Sequence, residues 1–148
     1  MPITTGLRSL LLTRSDITAI AKPRKIGGIT FSGVFNEYPS QGVVPAFVLI
    51  SQTDLDPLVA LDGTYGLRSN EFDFDCYSRS FPEAEQLGDL VESFIKDYTG
   101  PAGPSDTIKA VIFESRRYDK VVEEQGGDQR QHVQSISVTI QHQPTNGT

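Results

Sequence analysis

Between Arg68 and Tyr98 the apolar residues change period once, from two to 3.6, and that switch constrains the fold more than any other feature of the chain. In "EFDFDCY" Phe72, Phe74 and Cys76 alternate with Glu71, Asp73 and Asp75. Residues 67–78 therefore read as a strand with one apolar and one acidic face. Ser80-Phe81-Pro82-Glu83 has the spacing of a capping box, serine at the cap and glutamate three residues on. Behind it Ala84, Leu87, Val91, Phe94, Ile95 and Tyr98 form one apolar stripe, which predicts a helix over 81–98. Gly and Pro in "TGPAGPSD" stop it.

The flanking segments follow the same logic. Leu7, Leu10 and Leu11 sit at helical spacing, with Thr4 or Thr5 to cap the start and Ser15 to cap a further turn. They predict a helix over 5–21, broken near Thr13. "KPRKIGG" reads as a loop, and 29–38 as a strand rich in β-branched and aromatic residues. Residues 45–54 form the next strand, with Pro45 at its first position. "LDPLVALDGTYG" is a loop with a turn at Asp62-Gly63, and "KVVEEQGGDQR" is a polar loop. Strands over 107–119 and 132–143 close the chain before a frayed tail, 143–148. The expected architecture is a single α+β domain spanning 1–148, in the order α-β-β-β-α-β-β. Its sheet is mainly antiparallel and four- to five-stranded, with two helices on one face.

The second and fourth strands carry apolar residues on both faces. Phe47 and Leu49 oppose Val48 and Ile50; Val111 and Phe113 oppose Ile108, Ala110 and Ile112. Two helices cover one face only. The other face of these strands is then open in a monomer, and large exposed apolar patches mark interfaces. An oligomer is expected, with long loops folded over that face as the alternative.

Charge and composition exclude several functions. A net charge of −6 argues against a nucleic-acid reader, which relies on clustered Lys and Arg. One cysteine excludes an intramolecular disulfide framework and a Cys-rich zinc site. No run approaches the ~18 apolar residues of a membrane helix. The three leucines at 10–12 are bracketed by Arg8 and Arg14, too short a run for a secretory signal. The chain thus reads as a soluble, unprocessed intracellular product.

Each candidate for chemistry has a plainer explanation. Glu71, Asp73 and Asp75 lie ~7 Å apart along the strand, a spacing that overlaps paired glycosidase acids. Their positions look equivalent, however, and acid–base work needs pKa values pushed apart. They read as a wet face or one that pairs with cations. Cys76 falls on the core face, away from any evident activating base. His132 and His142 with Asp128 lack metal-ligand spacing. "KIGGIT" and "EQGGDQ" match no phosphate-loop motif and read as turns. Arg116 and Arg117 are expected opposite acids, with Asp73 and Glu71 as partners in this chain or a neighbouring copy. No catalytic residue, metal or cofactor is expected.

The ordered set of segments resembles the phage tail-completion or tail terminator proteins of long-tailed phages (siphoviruses) and gene-transfer particles. The resemblance rests on "LRSLLL", "GVFNEYPSQGVVPAFVLIS", the block from Leu61 to Val91, and "IKAVIFESRRYDKVVEEQGGDQRQHVQSISVTI". The family's DG-x-x-G loop end matches Asp62, Gly63 and Gly66. Its D-C-[YW] strand end matches Asp75, Cys76 and Tyr77, followed by the helix from Phe81. The likeness covers about residues 5–142. The sequence departs from the family at Asp56-Pro57 and in the long 99–106 connection.

The resemblance implies a non-enzymatic virion protein of the tail and neck, assembled in the host cytoplasm. It implies a homo-oligomeric, hexameric ring that caps the tail tube. Such a ring contacts the tail-tube protein and the head-completion or neck protein in head-tail joining. It passes double-stranded DNA through its lumen without sequence-specific binding, and it has no membrane partner. On this reading Phe47, Leu49, Val111, Phe113, Arg116 and Arg117 serve the oligomer interface. Glu71, Asp73 and Asp75 face the lumen or pair with cations, and Asp62, Gly63, Tyr65, Glu123, Glu124 and Asp128 contact tube or neck. A small cytosolic α+β binding domain that dimerises is the alternative, and a hydrolase built on the acidic strand ranks third.

Overall fold

The computed structural model describes residues 3–26, 29–31, 33–36, 46–53, 59–60, 68–103, 106–122 and 130–144. Two helices open the chain, α1 (Ile3–Leu12) and α2 (Ser15–Ile20). The break falls at Thr13, where the backbone N–H and the hydroxyl both donate to the Leu10 carbonyl. A hydroxyl that takes a helical carbonyl in this way competes with the next turn. Arg14, not Ser15, stands at the cap of α2, and its guanidinium pairs with Asp16 in the first turn. Ile3, Leu7 and Leu11 bury one face of α1, while the Arg8 side chain donates to the Val34 carbonyl and pins the helix to the sheet.

The segment read as one strand over 29–38 is divided, and the stretch "KPRKIGG", read as a loop, holds a strand of its own. β1 (Arg24–Ile26) and β2 (Ile29–Phe31) pair with each other as a separate two-stranded ribbon, with Ile26 opposite Ile29. β3 (Val34–Phe35) joins the main sheet, parallel to β4 (Phe47–Gln52). β5 (Val59–Ala60) is a short strand inside a stretch read as loop. Then come β6 (Arg68–Ser78), α3 (Phe81–Lys96), β7 (Gly100–Ala102), β8 (Asp106–Val122) and β9 (Arg130–Pro144). The strand order is β3-β4-β6-β9-β8-β7, with β5 on β6. Apart from β3, neighbours are antiparallel. The class is the expected α+β. The sheet is wider than expected and mixed, and the helices number three because the first segment is broken. β9 also runs to Pro144, into the stretch read as tail.

All three helices lie on one face of the sheet. Leu7, Leu11, Ile17, Leu87, Val91 and Ile95 pack there with Val48, Ile50, Phe72, Phe74, Ile136 and Val138. At ~25 cal/mol per Å² of apolar area, this cluster is the main source of stability. The capping box takes a modified form. The Ser80 backbone N–H donates to Ser78 Oγ, which donates to Glu83 Oε1 at 2.7 Å, so a second hydroxyl relays the reciprocal bond. Ser80 itself makes no side-chain cap bond.

Candidate functional site

Away from the helices, the face of the sheet is open along β6, β9 and β8. Antiparallel register sets Glu71 opposite Thr139, Asp73 opposite Ser137 and Asp75 opposite Ser135. Strand alternation therefore lines three acids against three hydroxyls. The Ser135 hydroxyl donates to Asp75 and the Ser137 hydroxyl to Asp73 at 2.6 Å, while Thr139 donates to Glu114 on β8. Arg117 reaches Asp73 at 4.0 Å and Asp119 at 3.6 Å. Between β6, β9 and β8 lies an open groove of about 300 Å³, walled by Glu71, Asp73, Glu114, Arg117 and Ser137.

The adjacent arginines part company because successive strand residues face opposite ways. Arg117 joins the acidic face. Arg116 turns to the helices, donating to Asp89 at 2.7 Å, Glu92 at 3.2 Å and Gln134 at 3.0 Å. It ties α3 to β8 and β9. Neither of the acids expected to pair with it is its partner.

The three carboxylates are not equivalent, contrary to the sequence expectation. Burial pushes the Asp75 carboxyl above its ordinary range; the Ser135 hydrogen bond opposes this and the Asp73 charge adds to it. An acid with a raised folded pKa costs stability when ionised. That cost is absent below the unfolded value of about 3.9 and complete above the folded value. Asp75→Asn keeps an acceptor for Ser135 and removes the charge. It is expected to raise stability at neutral pH by less than about 1 kcal/mol. The gain should vanish as pH falls below the unfolded value, as read by thermal melts across the acid range.

Among the described residues, the one thiol is not an activated nucleophile. Cys76 is fully buried on the helix side, and burial, aided by Asp75, pushes its thiol well above the usual range. Both histidines are engaged elsewhere. His142 is buried between Asp106 at 3.0 Å and Asn70 at 2.8 Å, and His132 bonds the Tyr118 hydroxyl at 2.6 Å. Among the described residues no three potential ligands gather to hold a metal ion. No described helix is long and apolar enough to cross a membrane.

The residues expected at an interface separate into two groups. Phe47 and Leu49 are buried within the chain in a second cluster with Tyr77 and Val133. Phe47 stacks on Tyr77 at 4.6 Å and meets Phe35 edge-on at 5.6 Å. At β4 the far face of the sheet is thus closed, not open. On β8, Val111 packs partly against the main core, but Phe113 is 38% exposed and Ile112 45%. Two bulges explain the mixed pattern: the register with β9 slips at Lys109 and at Glu114. The first puts Ile108 in the same core as Val111, although simple alternation sets them on opposite faces. Asp62, Gly63, Tyr65, Glu123, Glu124 and Asp128 lie outside the described residues.

One feature was missed by the sequence reading. Phe81, 40% exposed, meets Tyr118, 42% exposed, edge-on at 4.9 Å, and Tyr118 stacks on His132. These rings stand beside a groove of about 320 Å³ along the start of α3, formed by Phe81, Pro82, Glu85, Gln86 and Asp89. The available signal was Phe81 itself, an aromatic residue at the margin of the helix's apolar stripe.

No protein-family model matches the chain, and no curated protein sequence matches it. Among solved structures, the fold is similar to that of a chain in the virion of a native gene transfer agent (GTA) particle. The TM-score is 0.65 at 11% sequence identity, over 95% of this chain and 93% of that one. At that identity the likeness is one of fold.

Proposed function

We propose that the chain is a non-enzymatic structural protein of a virion, and specifically a tail terminator. Copies form a hexameric ring on the head-proximal end of the tail tube, stop its growth, and present a surface to the neck. The observation that carries the reading is the near end-to-end likeness of fold to a chain of a gene-transfer-agent virion. A shared submotif would cover one chain or the other only in part. The surface supports it. The four large apolar side chains exposed among the described residues are Phe81, Ile112, Phe113 and Tyr118. Three lie on β8 and the fourth touches Tyr118. Among the described residues, β8 is paired on its outer side only at its start, by β7. A long, partly apolar, open edge suits an interface between copies.

The acidic face fits a lumen. Carboxylates repel DNA phosphates, and adhesion to DNA depends on cations. Arg117 stands at the edge of ion-pair distance from Asp73, and Asp119 draws on the same guanidinium.

The test is made in particles. Removing the chain from an assembling tail system is expected to give tubes of uncontrolled length that do not join heads. Adding it back should give fixed-length tails with a six-copy ring at one end in electron micrographs. Normal tails and normal joining without the chain overturn the reading. Deletion of 123–128 should spare folding and ring formation while blocking joining, since polar loops of this length commonly carry contacts.

A further inference from the structure

We infer that the groove beside Phe81 receives the cationic segment Lys22–Lys25 of a second copy. The inference rests on the ring reading and supplies its contact. A ring needs two different patches per chain, one docking onto the other in the next copy.

The first patch is the ribbon β1–β2 with its lead-in. Lys22, Arg24 and Lys25 put three cations in four residues, and residues 1–26 hold five Lys or Arg against one Asp. Lys22 and Pro23 are exposed. Among the described residues, β1 and β2 pair only with each other, as a sheet of their own. Gly33 packs against the Ala21 backbone, so both ends of the ribbon meet at one point. That point leads directly into β3, an edge of the main sheet.

The second patch is the groove on α3. Phe81, Pro82, Glu85, Gln86 and Asp89 form one stripe along the helix, with Tyr118 beside Phe81. α3 carries four carboxylates against one lysine; Asp89 and Glu92 already pair with Arg116 and Glu83 accepts from Ser78, so Glu85 supplies the groove's charge. An exposed aromatic ring beside carboxylates suits Lys or Arg, which gain from both the ring face and the charge. The groove lies by β8, at the other side of the sheet. The order β3-β4-β6-β9-β8 separates the two patches by four strand spacings, roughly 20 Å along the sheet. Complementary patches at opposite edges give a head-to-tail contact, the geometry from which rings close.

The experiment is sedimentation velocity on the full chain at several salt concentrations, with circular dichroism to verify folding. Wild type is expected to self-associate, less so at high salt. Lys22→Glu with Arg24→Glu, or separately Phe81→Ala with Glu85→Lys, should each weaken association by about tenfold or more. Mixing Lys22→Glu/Arg24→Glu chains with Glu85→Lys/Gln86→Lys chains should restore association that neither shows alone. A charge-reversed ribbon that assembles into six-copy rings as tightly as wild type overturns this contact and leaves the ring reading standing. Charge-swap rescue confined to closed dimers keeps the contact and overturns the ring. A wild-type chain that stays monomeric throughout overturns the contact.

Discussion

Phe47→Asp is expected to unfold the chain, whereas Phe113→Asp should leave it folded and abolish self-association. The two phenylalanines look alike in sequence, each on a strand with apolar residues on both sides. Their surroundings differ. Phe47 is 1% exposed, stacked on Tyr77 and met edge-on by Phe35. A carboxylate there loses the aromatic packing, worth ~3–5 kcal/mol for a buried Phe, and adds an unpaired buried charge. Against a total stability of ~5–15 kcal/mol, that loss is decisive. Phe113 keeps more than a third of its surface in water, with Lys96 Nζ 5.8 Å from its ring. An Asp there stays solvated next to a cation and should cost under about 1 kcal/mol. In an assembly through β8 the same Asp is buried against a neighbour. Urea unfolding and sedimentation of the two variants separate these outcomes. A folded Phe47→Asp chain contradicts the second core. A Phe113→Asp chain that associates like wild type removes β8 from the interface.

The contrast also marks what was legible in the sequence. Period alone located β6 and α3 and put Phe72, Phe74 and Cys76 on the core face. The break near Thr13 was read from a cap at Ser15, one residue beyond the actual cap Arg14. Periodicity failed where the chain departs from a single period. The bulge at Lys109 turns Ile108 to the helix side, and no local signal in "TIKAVIF" announces it. The burial of Phe47 depends on Phe35 and Tyr77, residues 12 and 30 positions away in the chain. The acidic face was legible as a face, because alternation defines it. The raised pKa of Asp75 was not, because it follows from how deeply one position of the ladder is buried. Arg116 and Arg117 were read as a pair, yet alternation alone assigns them opposite faces.

Substituting Gly6 by alanine is expected to cost about 2–3 kcal/mol, the upper range for forcing atoms into a packed site. The reason is a close approach that the sequence leaves implicit. α1 lies directly on β7, with Gly6 against Ala102 and Gly103. A Cβ at Gly6 stands 2.6 Å from the Ala102 carbonyl carbon and closer still to its oxygen. Those are backbone atoms, held by the pairing of Ala102 with Asp106, so no rotamer change relieves the overlap. Gly103 has φ +71°, a left-handed conformation that favours glycine, and its backbone nitrogen would lie 3.1 Å from the same Cβ. Ala102 and Gly103 thus serve as the seat of α1. Relief requires α1 to lift, which also disturbs Leu7 and Leu11 in the main core and the Arg8 bond to Val34. Thermal melting should show a loss of several degrees. Ser9→Ala, on the exposed side of the same helix, should change little, since its hydroxyl bonds only the Thr5 carbonyl one turn back. Equal stability of Gly6→Ala and wild type would contradict the docking of α1 on β7.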